Sequence, residues 1–303
     1  MAIRFDDQVA IVTGAGGGLG RSHALLLASL GAKVVVNDLG GSVDGSGGSV
    51  SAAQQVVDEI IAAGGEAIAN GANVCKRDEV EAMVKQAVDT WGRIDILINN
   101  AGILRDKSFG KLEMENWDLV VDVHLTGSAN CSRAVWDVMK EQNYGRILMT
   151  SSSSGVYGNF GQANYGAAKM GVVGLMNTLC IEGAKSNIQV NSLVPIAATR
   201  MTENLMAPEM LDMLKPEFVS PAAVYLVSKE APNRAIVNAG AGGYSRVVIQ
   251  ETKGVALKHD EATVDNFADH WSQIDDQSDL DYLTMGAEHT TKFVKMAFEV
   301  NKK

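Results

Sequence analysis

The sequence predicts a doubly wound α/β fold, a parallel sheet of the Rossmann type built as a single domain with a C-terminal extension. Three observations predict it. Short continuous apolar runs alternate with helix-length segments from residue 8 to residue 193, as expected of strands covered by crossover helices on both faces. The first run leads straight into a glycine-rich turn and then a helical pattern. With 303 residues, 46% hydrophobic, 20% charged and only 5 prolines, the chain is too apolar for disorder and long enough to bury a sizeable core.

Each element has a local reason. Residues 8–13, 33–37, 66–70, 94–98, 145–150 and 189–193 are apolar runs of strand length. Between them, residues 19–30, 51–63, 77–91, 117–139 and 163–185 carry helical spacing, with Gly31 ending the first helix and Gly64-Gly65 the second. Right-handed crossovers then place ligands at the carboxyl ends of the strands. Residues 40–49 are a Gly/Ser-rich stretch that lengthens the link after the second strand, read as a surface loop or a closing lid. The pattern changes near Gly243, so the expected division is a main domain over 1–245 and an extension packed on it over 246–303. That extension holds a candidate strand at 245–250 and helices at 261–271 and 283–300.

Composition excludes several functions. The 36 acidic and 26 basic residues leave a net charge of −10, against the basic footprint of a sequence-independent nucleic-acid binder. No apolar run reaches the roughly 18 residues of a membrane span, so no membrane partner is expected. Arg4, Asp6 and Asp7 interrupt the place where a signal peptide needs its apolar run. Cys75, Cys131 and Cys180 lack metal-ligand spacing, so no metal is expected, and reduced thiols point to the cytoplasm. The final Asn301-Lys302-Lys303 is not a Ser-Lys-Leu peroxisomal address.

The glycine-rich turn reads Gly14-Ala15-Gly16-Gly17-Gly18-Leu19-Gly20. Glycines there let backbone approach a pyrophosphate on the helix N-terminus, which makes Gly14, Gly16, Gly18, Leu19 and Gly20 candidate nucleotide contacts. Asp38, 18 residues beyond Gly20, can accept both hydroxyls of an adenosine ribose and would repel a 2′-phosphate, so NAD is the expected cofactor. Arg21 stands just outside the turn and is assigned to solvent or a neighbouring helix. Farther along, Tyr165 and Lys169 are four residues apart on one helix face. Removing a hydride from an alcohol needs a base for the hydroxyl proton, and a nearby ammonium together with a positive nicotinamide would lower the phenol's pKa for that work. A serine run, 151–154, lies upstream, and a hydroxyl there can hold the substrate oxygen.

The glycine spacing at 14, 18 and 20, Asn99-Asn100-Ala101-Gly102 and the Ser…Tyr165-x3-Lys169 array together resemble the short-chain dehydrogenase/reductases over roughly residues 5–245. The resemblance selects Ser152, thirteen residues before Tyr165, as the catalytic serine beside Tyr165 and Lys169, and gives Lys169 a second role on the nicotinamide ribose. It implies cofactor contacts from Asn73, Val74, Asn100, Ala101, Gly102 and Thr199. It also marks His124 as a departure, because most relatives carry there an asparagine that holds a relay water; histidine can bind that water, relay a proton, or be a buried structural residue. Pro195-Ile196 departs from the usual Pro-Gly. Longer strings, 36–41, 99–106, 123–125 and 157–165, are similar to a branch that oxidises (3R)-3-hydroxyacyl-CoA to 3-ketoacyl-CoA with NAD. The chain would then be a standalone dehydrogenase of an acyl-CoA. Arg105, Lys107 and Lys111 are candidates for CoA phosphates, Met201, Met206, Met210 and Met213 for an acyl-chain lid, and Tyr157 for the pocket wall. Alternatives are a hydroxysteroid or other secondary-alcohol dehydrogenase and a non-catalytic NAD-sensing scaffold. The resemblance also implies a homodimer or homotetramer paired through helices 117–139 and 163–185.

Overall fold

The computed structural model describes residues 2–41, 51–197 and 208–302. Its main sheet carries β1 (Val9–Thr13), β2 (Lys33–Asn37), β3 (Glu66–Asn70), β4 (Ile96–Asn99), β5 (Gly145–Thr150), β6 (Ile188–Ile196), β7 (Ile236–Gly240) and β8 (Gly243–Val247) in the order 3-2-1-4-5-6-7-8. Strands β1 to β7 pair in parallel. All five residues of β1 and all four of β4 are buried, as continuous apolar strands must be when helices cover both faces. The switch point of the doubly wound order lies between β1 and β4.

The covering helices are α1 (Gly18–Ser29), α2 (Ser51–Ala62), α3 (Arg77–Trp91), α4 (Met114–Val121), α5 (Gly127–Gln142), the short α6 (Ser153–Val156), α7 (Ala163–Glu182), α8 (Pro208–Met213) and α9 (Ser220–Tyr225). One core cluster joins Val12, Leu27, Val36, Ile60, Ile98 and Val224 across β1, β2, β4, α1, α2 and α9. Two expectations are corrected here. The helix expected over 117–139 is two helices joined by a π-turn at Asp122–Thr126. The widened turn releases the His124 carbonyl, which accepts from Ser128 Oγ at 2.6 Å. The strand expected at 245–250 lies at Gly243–Val247 and is the second arm of a hairpin whose turn residues, Ala241 and Gly242, have φ of 51° and 74°. A two-residue turn of this hand returns the chain antiparallel.

Residues 247–303 form a second compact unit by chain contacts. It contains β9 (Glu251–Thr252) antiparallel to β10 (Leu280–Asp281), α10 (Val264–Asp269), α11 (Trp271–Ile274) and α12 (Gly286–Asn301). No described residue of this unit is buried. Lys292 on α12 ties the small sheet by pairing with Glu251 at 2.8 Å and Asp281 at 2.9 Å.

At the switch point a polar clasp holds β1 to β4. Asn100 Nδ2 donates to the carbonyls of Thr13 at 2.9 Å and Gly14 at 3.0 Å. Thr13 Oγ1 accepts from the backbone N–H groups of Asn100 at 3.0 Å and Ala101 at 3.1 Å. Asn100→Ala strands two carbonyls in a half-buried site, so it should cost about 1–3 kcal/mol of stability by urea denaturation; a change below about 0.5 kcal/mol would contradict the clasp.

Candidate active site

The cradle at the end of β1 is shaped by what a side chain would strike. Gly14 has φ +63°, and a Cβ there would meet Ala101 Cα at 2.8 Å. A Cβ on Gly20 would come within 2.3 Å of the Gly14 carbonyl oxygen and 2.6 Å of Asn100 Nδ2. The N-cap of α1 is Gly17, with no side-chain cap and no acidic residue in the first turn, so the first amides keep their attraction for an anion. Asp38 sits across the turn, accepting from Gly16 N–H at 2.8 Å and Gly40 N–H at 2.6 Å. One hydrogen bond on each carboxylate oxygen leaves both with lone pairs for a ribose. Arg21 pairs with Glu59 on α2, so its charge is turned away from the cradle.

The cradle opens into a cavity of about 630 Å³ running along the carboxyl edges of β1, β4, β5 and β6. Its lining contains Gly14, Asp38, Val74, Asn100, Ser152, Tyr165 and Lys169. Ser152 caps α6, its Oγ accepting from Ser154 N–H at 3.2 Å, and it lines the same cavity as the Tyr165 phenol. Lys169, one turn along α7 from Tyr165, lies with Nζ 5.5 Å from the phenol ring centre and donates to the Thr150 carbonyl at 2.6 Å. Two buried polar atoms at this cavity, His124 Nδ1 and Thr150 Oγ1, have no partner among the described residues. A glycine cradle, a carboxylate at ribose distance in sequence and unsatisfied polar groups at the far end fit a dinucleotide and a polar substrate.

A family model described as short chain dehydrogenase matches residues 8–209. The chain belongs to the short-chain dehydrogenases. Peroxisomal multifunctional enzyme A of Dictyostelium discoideum is 50% identical over 289 residues, covering 95% of this chain and 64% of that protein. Full-length peroxisomal multifunctional enzyme type 2 of Drosophila melanogaster, a solved structure, superposes with a TM-score of 0.83 at 39% identity, covering 98% of this chain and 51% of that one. The chain thus spans less than two thirds of these longer relatives. A 7α-hydroxysteroid dehydrogenase solved with NADH and a 7-oxo bile acid superposes with a TM-score of 0.71 at 28% identity, covering 79% of this chain and 95% of that one. As a short-chain dehydrogenase, the protein is an oxidoreductase acting on CH–OH groups.

In this short-chain dehydrogenase the π-turn puts His124 in the wall of the reacting centre. Its ring stands edge-on to Tyr165, centroids 5.1 Å apart at 88°. Nε2 is 2.8 Å from the Ile103 carbonyl and 3.1 Å from the Ile103 N–H. Either tautomer therefore finds a backbone partner at Nε2 while Nδ1 stays bare. Gly102 makes room, since a Cβ there would lie 2.3 Å from His124 Cε1. Burial first, and the Lys169 charge second, hold this imidazole well below its ordinary pKa, so it is neutral.

Other expectations are placed or corrected. Asn73 and Val74 follow β3 in a turn. There Asn73 Oδ1 accepts from Cys75 N–H at 3.0 Å, which spends the side chain locally while both residues still line the cavity. Arg105, Lys107, Lys111 and Tyr157 are absent from that lining, and Tyr157 is 70% exposed. Thr199, Met201, Met206, the side chain of Met210 and the Gly/Ser stretch from Ser42 to Ser49 lie outside the described residues; Met213 is exposed. Sequence reasoning missed Asp106, Ser154, Asn159 and Gln162, all of which line the cavity. Gln162, three residues before Tyr165, was the signal to follow, because it occupies the N-cap of α7. A wider hollow of about 1290 Å³ in the C-terminal unit is bordered by the mutually satisfied Lys292 and Asp281. None of the unpartnered buried polar atoms among the described residues lies there.

The chain by itself does not supply the lowered phenol pKa. Burial raises the Tyr165 pKa, the Ser152 hydrogen bond opposes this, and the Asp106 charge adds to the rise. The chain's own groups do not lower it because Lys169 is itself desolvated. Burial pulls that ammonium from 10.5 to about 7. An unfolded lysine keeps its proton to about pH 10, so the unfolded chain binds more protons from pH 7 to 10 and stability rises with pH across that window. Below pH 7 the full cost, about 3–5 kcal/mol, is present. Lys169→Met should therefore raise Tm by several degrees at pH 6 and by progressively less toward pH 10. A lower Tm at pH 6 would contradict a desolvated lysine.

Proposed function

We propose that the protein oxidises a (3R)-3-hydroxyacyl-CoA to the 3-ketoacyl-CoA with NAD. The observation that carries this reading is the shared cavity that holds Asp38 at one end and the Ser152–Tyr165 pair beside Lys169 at the other. When bound, NAD supplies the acceptor for the hydride. The glycine turn and the α1 amides would hold its pyrophosphate and Asp38 its adenosine ribose, while Asp38 opposes a 2′-phosphate. The NADH in the hydroxysteroid dehydrogenase complex supports the same class of cofactor, and the likeness of residues 36–41, 99–106, 123–125 and 157–165 to the (3R)-3-hydroxyacyl-CoA branch supports an acyl-CoA substrate.

On the protein's side, Ser152 Oγ and the Tyr165 phenol hold the substrate oxygen between them. Tyr165 takes the hydroxyl proton as the carbon–oxygen double bond forms. Burial raises the phenol's pKa in the chain alone, so the phenolate that does this relies on the positive charge of a bound nicotinamide, with Lys169 adding to it whenever it carries its proton. His124 is a positioning residue: its edge fixes the phenol ring, and its bare Nδ1 offers one hydrogen bond to whatever bridges it to the lysine. The homodimer or homotetramer and the cytoplasmic location stay proposals, the second resting on three free thiols.

A second reading, a hydroxysteroid or other uncharged secondary alcohol, is favoured by the absence of Arg105, Lys107 and Lys111 from the cavity lining. The acyl-CoA reading accommodates it, because Lys107 and Lys111 are exposed on the segment that follows the lining residues Ile103 and Leu104, and their charges are open to phosphates outside the cavity.

NAD reduction at 340 nm with a medium-chain (3R)-3-hydroxyacyl-CoA, its 3S isomer and a 17β-hydroxysteroid separates the readings. Turnover of the 3R thioester alone, lost by at least a thousandfold in Tyr165→Phe, is the expected result; turnover of the steroid alone would overturn the CoA assignment. For His124, the Asn variant should keep kcat within about tenfold, while Leu at 124, or Gly102→Ala, should lower kcat more than tenfold with KM nearly unchanged. Equal loss in the Asn and Leu variants would remove the positioning role.

A further inference from the structure

The reacting centre has a carboxylate beside it that the mechanism does not use. Segment 105–107 is stitched to the start of α7: Lys107 N–H donates to the Gly161 carbonyl at 2.9 Å and Asn164 Nδ2 to the Arg105 carbonyl at 3.1 Å. Between these bonds Gln162 Nε2 donates to Asp106 Oδ2 at 2.7 Å. Gln162 Oε1 accepts from Ser154 Oγ at 2.6 Å and Asn159 Nδ2 at 3.0 Å, and the acceptor-only carboxylate of Asp106 calls for the NH₂ end. The NH₂ end is therefore committed to Asp106, and Asp106 is held at the cavity one helical turn before Tyr165.

Charge around this point is one-sided. Among the described residues of the lining, the one Lys or Arg is Lys169, whose Nζ is bonded to Thr150 O, and His124 is neutral. Of the lining carboxylates, Asp38 is held by the glycine turn and Asp122 belongs to the π-turn, which leaves Asp106 as the one stitched to the start of α7. It lines the same cavity as Ser152 and Tyr165 and is tied through Gln162 to the N-cap of the helix that carries the phenol. In a 3-hydroxyacyl compound, C1 is separated from the reacting C3 by a single carbon. Seating the C3 hydroxyl between Ser152 and Tyr165 therefore brings C1 into the same neighbourhood. A neutral ester or thioester there meets no penalty. A free carboxylate meets the like charge of Asp106, while the lysine of the lining, Lys169, is held by the Thr150 carbonyl.

Resting on the acyl reading above, we propose that Asp106 is a specificity-determining residue that rejects free 3-hydroxy acids and admits the same acyl group only when its carboxyl is masked as an ester or thioester. Because Asp106 is exposed to solvent, the discrimination it adds is about tenfold and falls as salt rises.

The test compares methyl (3R)-3-hydroxybutanoate with (3R)-3-hydroxybutanoate in the wild type and in Asp106→Asn, which keeps an acceptor oxygen for Gln162 and removes the charge. The ester-to-acid ratio of kcat/KM should fall about tenfold in the variant, through a gain on the acid, with the ester changed less than threefold. In the wild type the ratio should narrow between 50 mM and 500 mM salt, two settings spanning roughly a threefold change in screening length. An unchanged ratio, or equal losses on both compounds, overturns the proposal and leaves Asp106 a structural partner of Gln162. The same ratio is read from inhibition by acetoacetate and its methyl ester against whichever alcohol is oxidised. Failure of the CoA thioester as substrate is therefore distinguishable from failure of Asp106 as a filter.

Discussion

The carboxyl edges of β1 and β4 part at the switch point, and the clasp between Thr13 and Asn100 holds that parting in one geometry. A doubly wound sheet must open a crevice where its strand order reverses, but a crevice alone does not place a turn to within a fraction of an ångström. Asn100 does so by donating to the carbonyls on both sides of the Thr13–Gly14 peptide. Gly14 then takes a positive φ, Gly20 passes within side-chain distance of its carbonyl, and α1 starts with its amides facing the cavity. Gly102, two residues beyond the clasp, gives His124 its seat, and Leu104 and Asp106 carry the same segment on to the substrate side. One hydrogen-bonded corner thus sets both ends of the site.

The other end works against stability. An ammonium in a dry wall, bonded to a carbonyl and paired with no carboxylate among the described residues, is a group that folding disfavours. The sheet tolerates it because β5 and β6 bring a large buried surface to the same place, with every residue of β5 buried. The same burial keeps Tyr165 protonated in the chain alone and His124 neutral. Three neighbouring groups are thereby held away from their solution pKa values, as acid–base sites require.

Much of this was legible in the sequence because it depends on local chemistry. Continuous apolar runs fix strands buried on both faces, and Gly14, Gly16, Gly18 and Gly20 between a strand and a helix mark the cradle. Tyr165 and Lys169 at helical spacing need no tertiary knowledge to share a face. What escaped depends on contacts between distant segments. The π-turn at 122–126 interrupts a helical pattern that periodicity alone reads as continuous. The desolvation of Lys169 could not be read either, because it depends on tertiary packing that also brings Nζ to Thr150, 19 residues away. Asp106 could not be placed before segment 105–107 was seen against 161–164. Arg105, Lys107 and Lys111 looked like ligands for a phosphate in an acidic chain, yet none lines the cavity.

The central claim is that the clasped glycine turn and Asp38 form a dinucleotide site that refuses a 2′-phosphate. Titration of the protein with NADH and, separately, NADPH, followed by nicotinamide fluorescence, tests it most directly. The account predicts saturable NADH binding with an NADPH affinity at least tenfold weaker. Equal affinities, or tighter binding of NADPH, would contradict it.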